Sequence, residues 1–346
     1  MRVLVTGSKG YIGTVLVPLL LERGHDVVGL DTDFFGACTF TGEISTIESA
    51  QVDVRDTAAV KEFFENHANL DAVIHLAGLS NDPLGDYQPS LTENINFKAS
   101  VEMAKAAKAV GVERFLFASS CSNYGASGDN FLDENAAFNP VTPYGKSKVM
   151  VEGELTKLAD DKFSPTYLRA STAFGVSPRL RFDLVVNNLT AWAFTTGEVH
   201  LKSDGTPWRP LVHVEDICRA YIAAMEAPRD TVHDEAFNVG TTTENYQIRE
   251  VAEMVEQIVP GCKISFADDA GPDKRCYRVD CNKIARQLHN FKPQWTVRRG
   301  IEQLYETYKR EGLKLEEFEG PKYMRIAHIK GLVDSGKLDS DLFWKS

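Results

Sequence analysis

Tyr144-Gly145-Lys146-Ser147-Lys148 sets a phenol and an ammonium four residues apart, one turn above each other on a helix face. An ammonium beside a phenol favours the phenolate and draws its pKa down from about 10 towards neutrality. Opposite a nicotinamide, such a phenol becomes the proton carrier when an alcohol gives up a hydride. Ser120 stands 24 residues before Tyr144 at the end of an apolar strand, and the chain opens with Gly7-x-x-Gly10-x-x-Gly13.

The glycine run follows a strand, Val3–Thr6, and opens a helix. In that setting glycines allow a tight turn, close backbone approach to a pyrophosphate and close helix–sheet packing. The helix N-terminus adds amides and a partial positive charge. Asp31, 18 residues past Gly13, ends the second strand, where a carboxylate accepts hydrogen bonds from both adenosine ribose hydroxyls and repels a 2′-phosphate. No Lys or Arg lies between Arg23 and Arg55, so the expected cofactor is NAD rather than NADP. Asp53 and Val54, after the third strand, are candidates to flank the adenine.

Positioning these groups requires a frame. Strand signals at 3–6, 26–30, 72–76, 115–118 and 165–169 alternate with helical stretches at 11–22, 57–66, about 90–110 and 144–158. That rhythm implies an α/β fold, a Rossmann-type doubly wound parallel sheet with ligands at the carboxyl ends of its strands. Residues 1–170 read as an NAD-binding domain. Residues 171–346 read as a smaller mixed α/β substrate domain, with about 211–240 returning to the first. The tail from Pro321 reads as an appended helix and an extended end.

The totals narrow the class. A net charge of -11 over 346 residues argues against nucleic acid or an anionic membrane as partner. Residues 2–6 already read as a strand, leaving no room for a signal peptide, and no apolar run approaches a membrane span. Six scattered cysteines without a C-x-x-C pair read as reduced thiols, so a cytoplasmic protein with no metal site is expected.

Beyond these features the chain resembles the extended short-chain dehydrogenases/reductases, in particular those acting on nucleotide sugars. The resemblance rests on residues 5–13, Asp71–Gly78 (with Leu76 and Ala77), Asn94-Ile95-Asn96, Ser119–Gly125, Pro143–Lys148 and Arg209–Asp216. It implies Tyr144 as catalytic acid/base, Lys148 as its partner and ribose clamp, and Ser120 as the hydroxyl holding the reacting sugar oxygen. Tyr11, Ile12, Leu76, Ala77 and Asn94 join the glycines around the cofactor, Asn94 as a brace of the active site. Arg209, Asn188 and Arg275 are the implied contacts for the diphosphate of a nucleotide-sugar substrate. A homodimer through the helices at about 90–110 and from Tyr144 is implied as well.

Departures from the family pattern bear on the reaction. Where 4,6-dehydratases carry an Asp-Glu pair, this chain has Cys121 and Ser122, both counted among the substrate-binding candidates. Enzymes epimerising at C3 and C5 carry a cysteine where Ser122 stands, with a second acid near the place of Arg181. A 4-epimerase needs only the Ser/Tyr/Lys set, and this is the expected activity. The alternatives are a 4-ketosugar reductase, a dehydratase or 3,5-epimerase using Cys121, and a non-enzymatic dinucleotide sensor.

Overall fold

The strands that read as apolar on both faces lie at the centre of one parallel sheet. β1 (Arg2–Thr6) is flanked by β2 (Asp26–Asp31) and β3 (Glu48–Gln51) on one side. On the other come β4 (Ala72–His75), β5 (Arg114–Ser120), β7 (Ser164–Ala170) and β11 (Glu235–Val239), giving the order β3-β2-β1-β4-β5-β7-β11. All six pairings are parallel. The computed structural model describes residues 1–80, 88–125, 130–271 and 276–345, and of Lys202 and residues 268–271 the backbone alone.

Burial on both faces explains the continuous apolar runs, because helices cover each side. α1 (Gly13–Glu22) and α6 (Val214–Glu226) pack on one face, where Leu16, Val17, Ile217 and Tyr221 join Val3 and Val5. α2 (Thr57–Asn66), α3 (Ala99–Ala109) and α4 (Pro143–Leu158) cover the other, with Phe63, Phe64, Met103 and Val151 against Leu4 and Val73. The helix expected over about 90–110 is not uniform: Glu93–Lys98 form a π-helix before α3 begins. α4 starts where its sequence dictates, since Thr142 Oγ1 accepts the Gly145 N–H at 3.1 Å and Pro143 occupies the first turn.

A second body of mixed structure sits above the carboxyl ends of these strands. It contains β8 (Thr172–Phe174), β10 (Trp208–His213) and β12 (Asn245–Gln247) in one three-stranded sheet, and β9 (Glu198–Ser203) paired with β13 (Lys263–Gly271). A short parallel pair, β6 (Phe131–Leu132) with β14 (Arg278–Val279), ties it to the loop before α4. α5 (Val185–Thr196), α7 (Ile248–Ile258) and α8 (Val297–Glu311) close its own core around Phe182, Val186, Val251 and Tyr308. The tail does not stay with this body. α9 (Arg325–Asp334) and the chain after it return to the large sheet, where Ile329, Leu338 and Leu342 are buried beside Phe34, Val54 and Leu79. No helix among the described residues is long and apolar enough to cross a membrane.

Candidate active site

One cavity runs from the glycine turn, over the ends of β1, β4 and β5, to β10. Gly7, Gly10, Tyr11, Ile12, Gly13, Asp31, Asp53, Val54, Leu76 and Ala77 line its cofactor half, and Ser120, Ser122, Tyr144, Lys148 and Arg209 its chemical half.

The cofactor half fits a dinucleotide. Gly7 has a φ of +71°, and a Cβ there would stand 2.9 Å from the Ala77 nitrogen. A Cβ on Gly13 would run into the Gly7 carbonyl oxygen, so both positions exclude any other residue. The Asp31 carboxylate accepts the Lys9 N–H at 2.9 Å and the Asp33 N–H at 2.7 Å, one on each oxygen. Burial raises its pKa and these two bonds oppose the rise. Each oxygen keeps lone-pair capacity for a ribose hydroxyl. Two cations near it are engaged: Lys9 pairs with Asp33 at 2.9 Å, and Arg55 with Asp53 at 2.7 Å.

At the chemical end, Lys148 is buried with its ammonium 5.4 Å from the Tyr144 ring centre and 4.6 Å from that of Phe117. Burial pushes the lysine down to about 7, against the pull of Glu152. Ser120 and Ser119 are neighbours with opposite duties. Ser119 turns into the scaffold, donating to Glu152 at 2.5 Å, whereas the Ser120 oxygen stays at the cavity and accepts from the Ser122 N–H and hydroxyl at 3.1 and 2.9 Å. Arg209 is buried on β10 and donates to the Trp208 carbonyl at 2.9 Å.

Three candidates stand differently from expectation. Cys121 is buried behind the site, its thiol donating to the Arg169 carbonyl at 3.1 Å, and burial pushes its pKa far up. It does not line the cavity, because the 3-10 turn after β5 points it into the core beside Leu168 and Val239. Asn94 points to Lys98 (3.1 Å) rather than to the cavity. The wider π turn instead carries Asn96 inward, where its side chain bonds the Leu79 N–H and carbonyl at 2.7 and 2.9 Å. Asn188 is not at the cavity either; its amide holds the Phe182 carbonyl at 2.9 Å. Arg275 lies outside the described residues.

Further groups line the site. Arg181 lines the cavity but is held by Asp183 at 2.6 Å and by Ser80 at 3.0 Å. Although burial acts to raise Asp183, Arg181 keeps its carboxyl below the ordinary range. Asp183 stands only two residues from Arg181, a spacing that signals the pair in retrospect. Phe34, Phe35, Tyr277 and Arg325 complete the lining from distant segments, and no local motif marks them. Among the described residues no group of three or more His, Cys, Asp or Glu could hold a metal ion.

Residues 3–240 match the model of the NAD dependent epimerase/dehydratase family. A UDP-glucose 4-epimerase of Bacillus subtilis (strain 168) is 28% identical over 328 residues, covering 88% of this chain and 94% of the relative. The solved UDP-glucose 4-epimerase of Thermus thermophilus, complexed with NAD, superposes with a TM-score of 0.75 at 25% identity, covering 89% of this chain and 99% of that one. MoeE5, solved with UDP-glucose and NAD, gives a TM-score of 0.77 at 26% identity over 90% of this chain and 100% of its own.

Proposed function

The chain belongs to the NAD dependent epimerase/dehydratase family, and from that premise we propose that it inverts a nucleotide sugar at C4. The observation carrying this reading is that, among the described residues, Tyr144 is the acid/base set at the chemical end of the cavity beside a buried lysine. Its helix presents it to the cavity above Lys148, while Cys121 is sealed in the core and Arg181 is ion-paired. Inversion at C4 needs one acid/base; 4,6-dehydration, or epimerisation at C3 or C5, needs a further proton carrier.

In this reading Ser120 holds the 4-oxygen and Tyr144 removes its proton, with the Lys148 ammonium steadying the phenolate. Bound NAD supplies the acceptor, and later the donor, of the C4 hydride. Arg209 grips the diphosphate through its two-pronged donor set, which lets the sugar swing while the nucleotide stays fixed. The sugar then presents its other face and Tyr144 returns the proton to the same oxygen. We further read the assembly as a homodimer through α3 and α4, supported by the exposed Met150 and half-buried Val149 on α4.

Incubation with UDP-glucose in deuterated water, followed by NMR, tests the reaction. Interconversion at C4 without deuterium on any sugar carbon is expected. Deuterium at C3 or C5, loss of water, or net consumption of NADH overturns the reading.

A further inference from the structure

Arg325 opens α9 and lines the same cavity as Asp31 and the glycine turn, although it comes from the far end of the chain. Its guanidinium carbon sits 4.0 Å over the Phe35 ring, and it donates one long bond, 3.4 Å, to the Arg179 carbonyl. Among the described residues no carboxylate forms an ion pair with it. Asp183 is taken by Arg181 at 2.6 Å, and Asp33 is shared by Lys9 at 2.9 Å and Arg179 at 3.6 Å. Burial and the like charge of Arg181 accordingly pull Arg325 down to about 10. A guanidinium has five donors, and one half-buried against the cavity wall with a single weak acceptor among the described residues is stabilised by an anion arriving there.

The surrounding segment holds that guanidinium in place without a ligand. His328 bonds the Phe34 carbonyl at 2.9 Å, Trp344 donates its indole N–H to the Thr32 carbonyl at 2.7 Å, and Arg55 stacks 3.7 Å over Phe343. Every partner of the tail in this set belongs to β2's end or to the turn after β3. Phe34 and Phe35 follow Asp31 by three and four residues, so Arg325 stands beside the strand end that receives the adenosine ribose. A dinucleotide would set its diphosphate at the N-terminus of α1 and its adenosine ribose at that strand end. Arg209, the candidate for the substrate's diphosphate, stands apart from this on β10.

We propose that Arg325 is a cofactor-binding residue that holds the diphosphate of NAD, and that residues 321–345 form the outer wall of the cofactor site. The proposal rests on NAD occupying this cavity, not on which sugar is turned over.

Full-length protein stripped of nucleotide, titrated calorimetrically with NAD and with UDP, tests it. Arg325→Met is expected to bind NAD about ten- to hundredfold more weakly, the range of a charge-assisted bond. Arg325→Lys should recover part of the loss, with UDP affinity and the melting point of the ligand-free protein close to wild type. Unchanged NAD affinity in Arg325→Met, or Lys performing no better than Met, overturns the proposal. A loss for UDP in place of NAD also overturns it and assigns the guanidinium to the substrate. Trp344→Ala keeps the Arg325 side chain but cuts one tie of the segment, and so tests the wall even if Arg325→Met fails to fold. It should release bound NAD faster into a chase of labelled NAD, and an unchanged release rate overturns the wall. Wild-type protein that binds no NAD refutes the cofactor itself, an outcome distinct from all of these.

Discussion

Lys148 and Glu152 stand one turn apart on α4, yet no ion pair closes between them. The Glu152 carboxylate is committed to Arg169 at 2.7 Å and to Ser119 at 2.5 Å, behind the site. Lys148 therefore feels the charge without the contact, and its pKa stays near 7, far under the 10.5 of a free lysine.

That relationship fixes an expected pH dependence. If the ammonium is the working form, kcat/KM should turn down on the alkaline side near pH 7–8 instead of above 10. Glu152 is the group that opposes the effect of burial, so Glu152→Gln should shift the limb to lower pH. The folded protein sheds this proton near 7 and the unfolded chain near 10.5, so this lysine makes stability rise with pH between those values. Rate profiles and urea melts across pH 6–10 check both statements. An alkaline limb above pH 9 in the wild type would overturn the assignment of that limb to a depressed Lys148.

Asp31 predicts the cofactor preference. NAD should bind at least tenfold tighter than NADP, about 1.4 kcal/mol, because a 2′-phosphate would meet the half-buried Asp31 carboxylate, with Lys9 and Arg55 already paired to Asp33 and Asp53. Asp31→Ser should narrow the gap mainly by weakening NAD. Equal affinities of the wild type in titration calorimetry would contradict the assignment.

How much of this was legible depended on whether the signal was local. The glycine turn, Asp31 and the Tyr144/Lys148 pair each sit within one strand–helix junction, where spacing alone dictates geometry, and all reach the cavity. Asn94 falls away from the cavity because a single π turn changes which side of a helix faces inward, and nothing in Glu93–Lys98 announces that turn. Asn188 and Cys121 each lie close in sequence to a cavity-lining segment, near enough to match a motif and yet turned away by local backbone. The tail was opaque for another reason. Its partners Phe34, Phe35 and Thr32 belong to the opposite end of the chain, and no periodicity records such a contact.

Cys121 separates the rival chemistries. Cys121→Ala should keep turnover within about threefold of wild type while costing stability on the order of 1 kcal/mol for the small cavity left. The native thiol should also resist alkylation, since it is fully buried with a raised pKa. Kinetics of the variant and mass spectrometry after iodoacetamide read these out. Abolished turnover would restore Cys121 as a proton carrier.

Tyr144 carries the reaction in this reading, and its replacement gives the sharpest expectation. Tyr144→Phe keeps the ring beside Lys148 and leaves the glycine turn untouched, removing only the hydroxyl that moves the proton. A positioned acid/base is worth roughly 10²–10⁴ in rate, so kcat should fall by that factor. Binding of the nucleotide sugar should change little, because Arg209 and Ser120 remain, and the loss should fall on kcat with the dissociation constant near wild type. Single-turnover measurements with saturating UDP-glucose, beside calorimetric titration, separate the two quantities. A variant with wild-type kcat would show that another group moves the proton, and weakened binding with unchanged kcat would make Tyr144 a substrate contact alone.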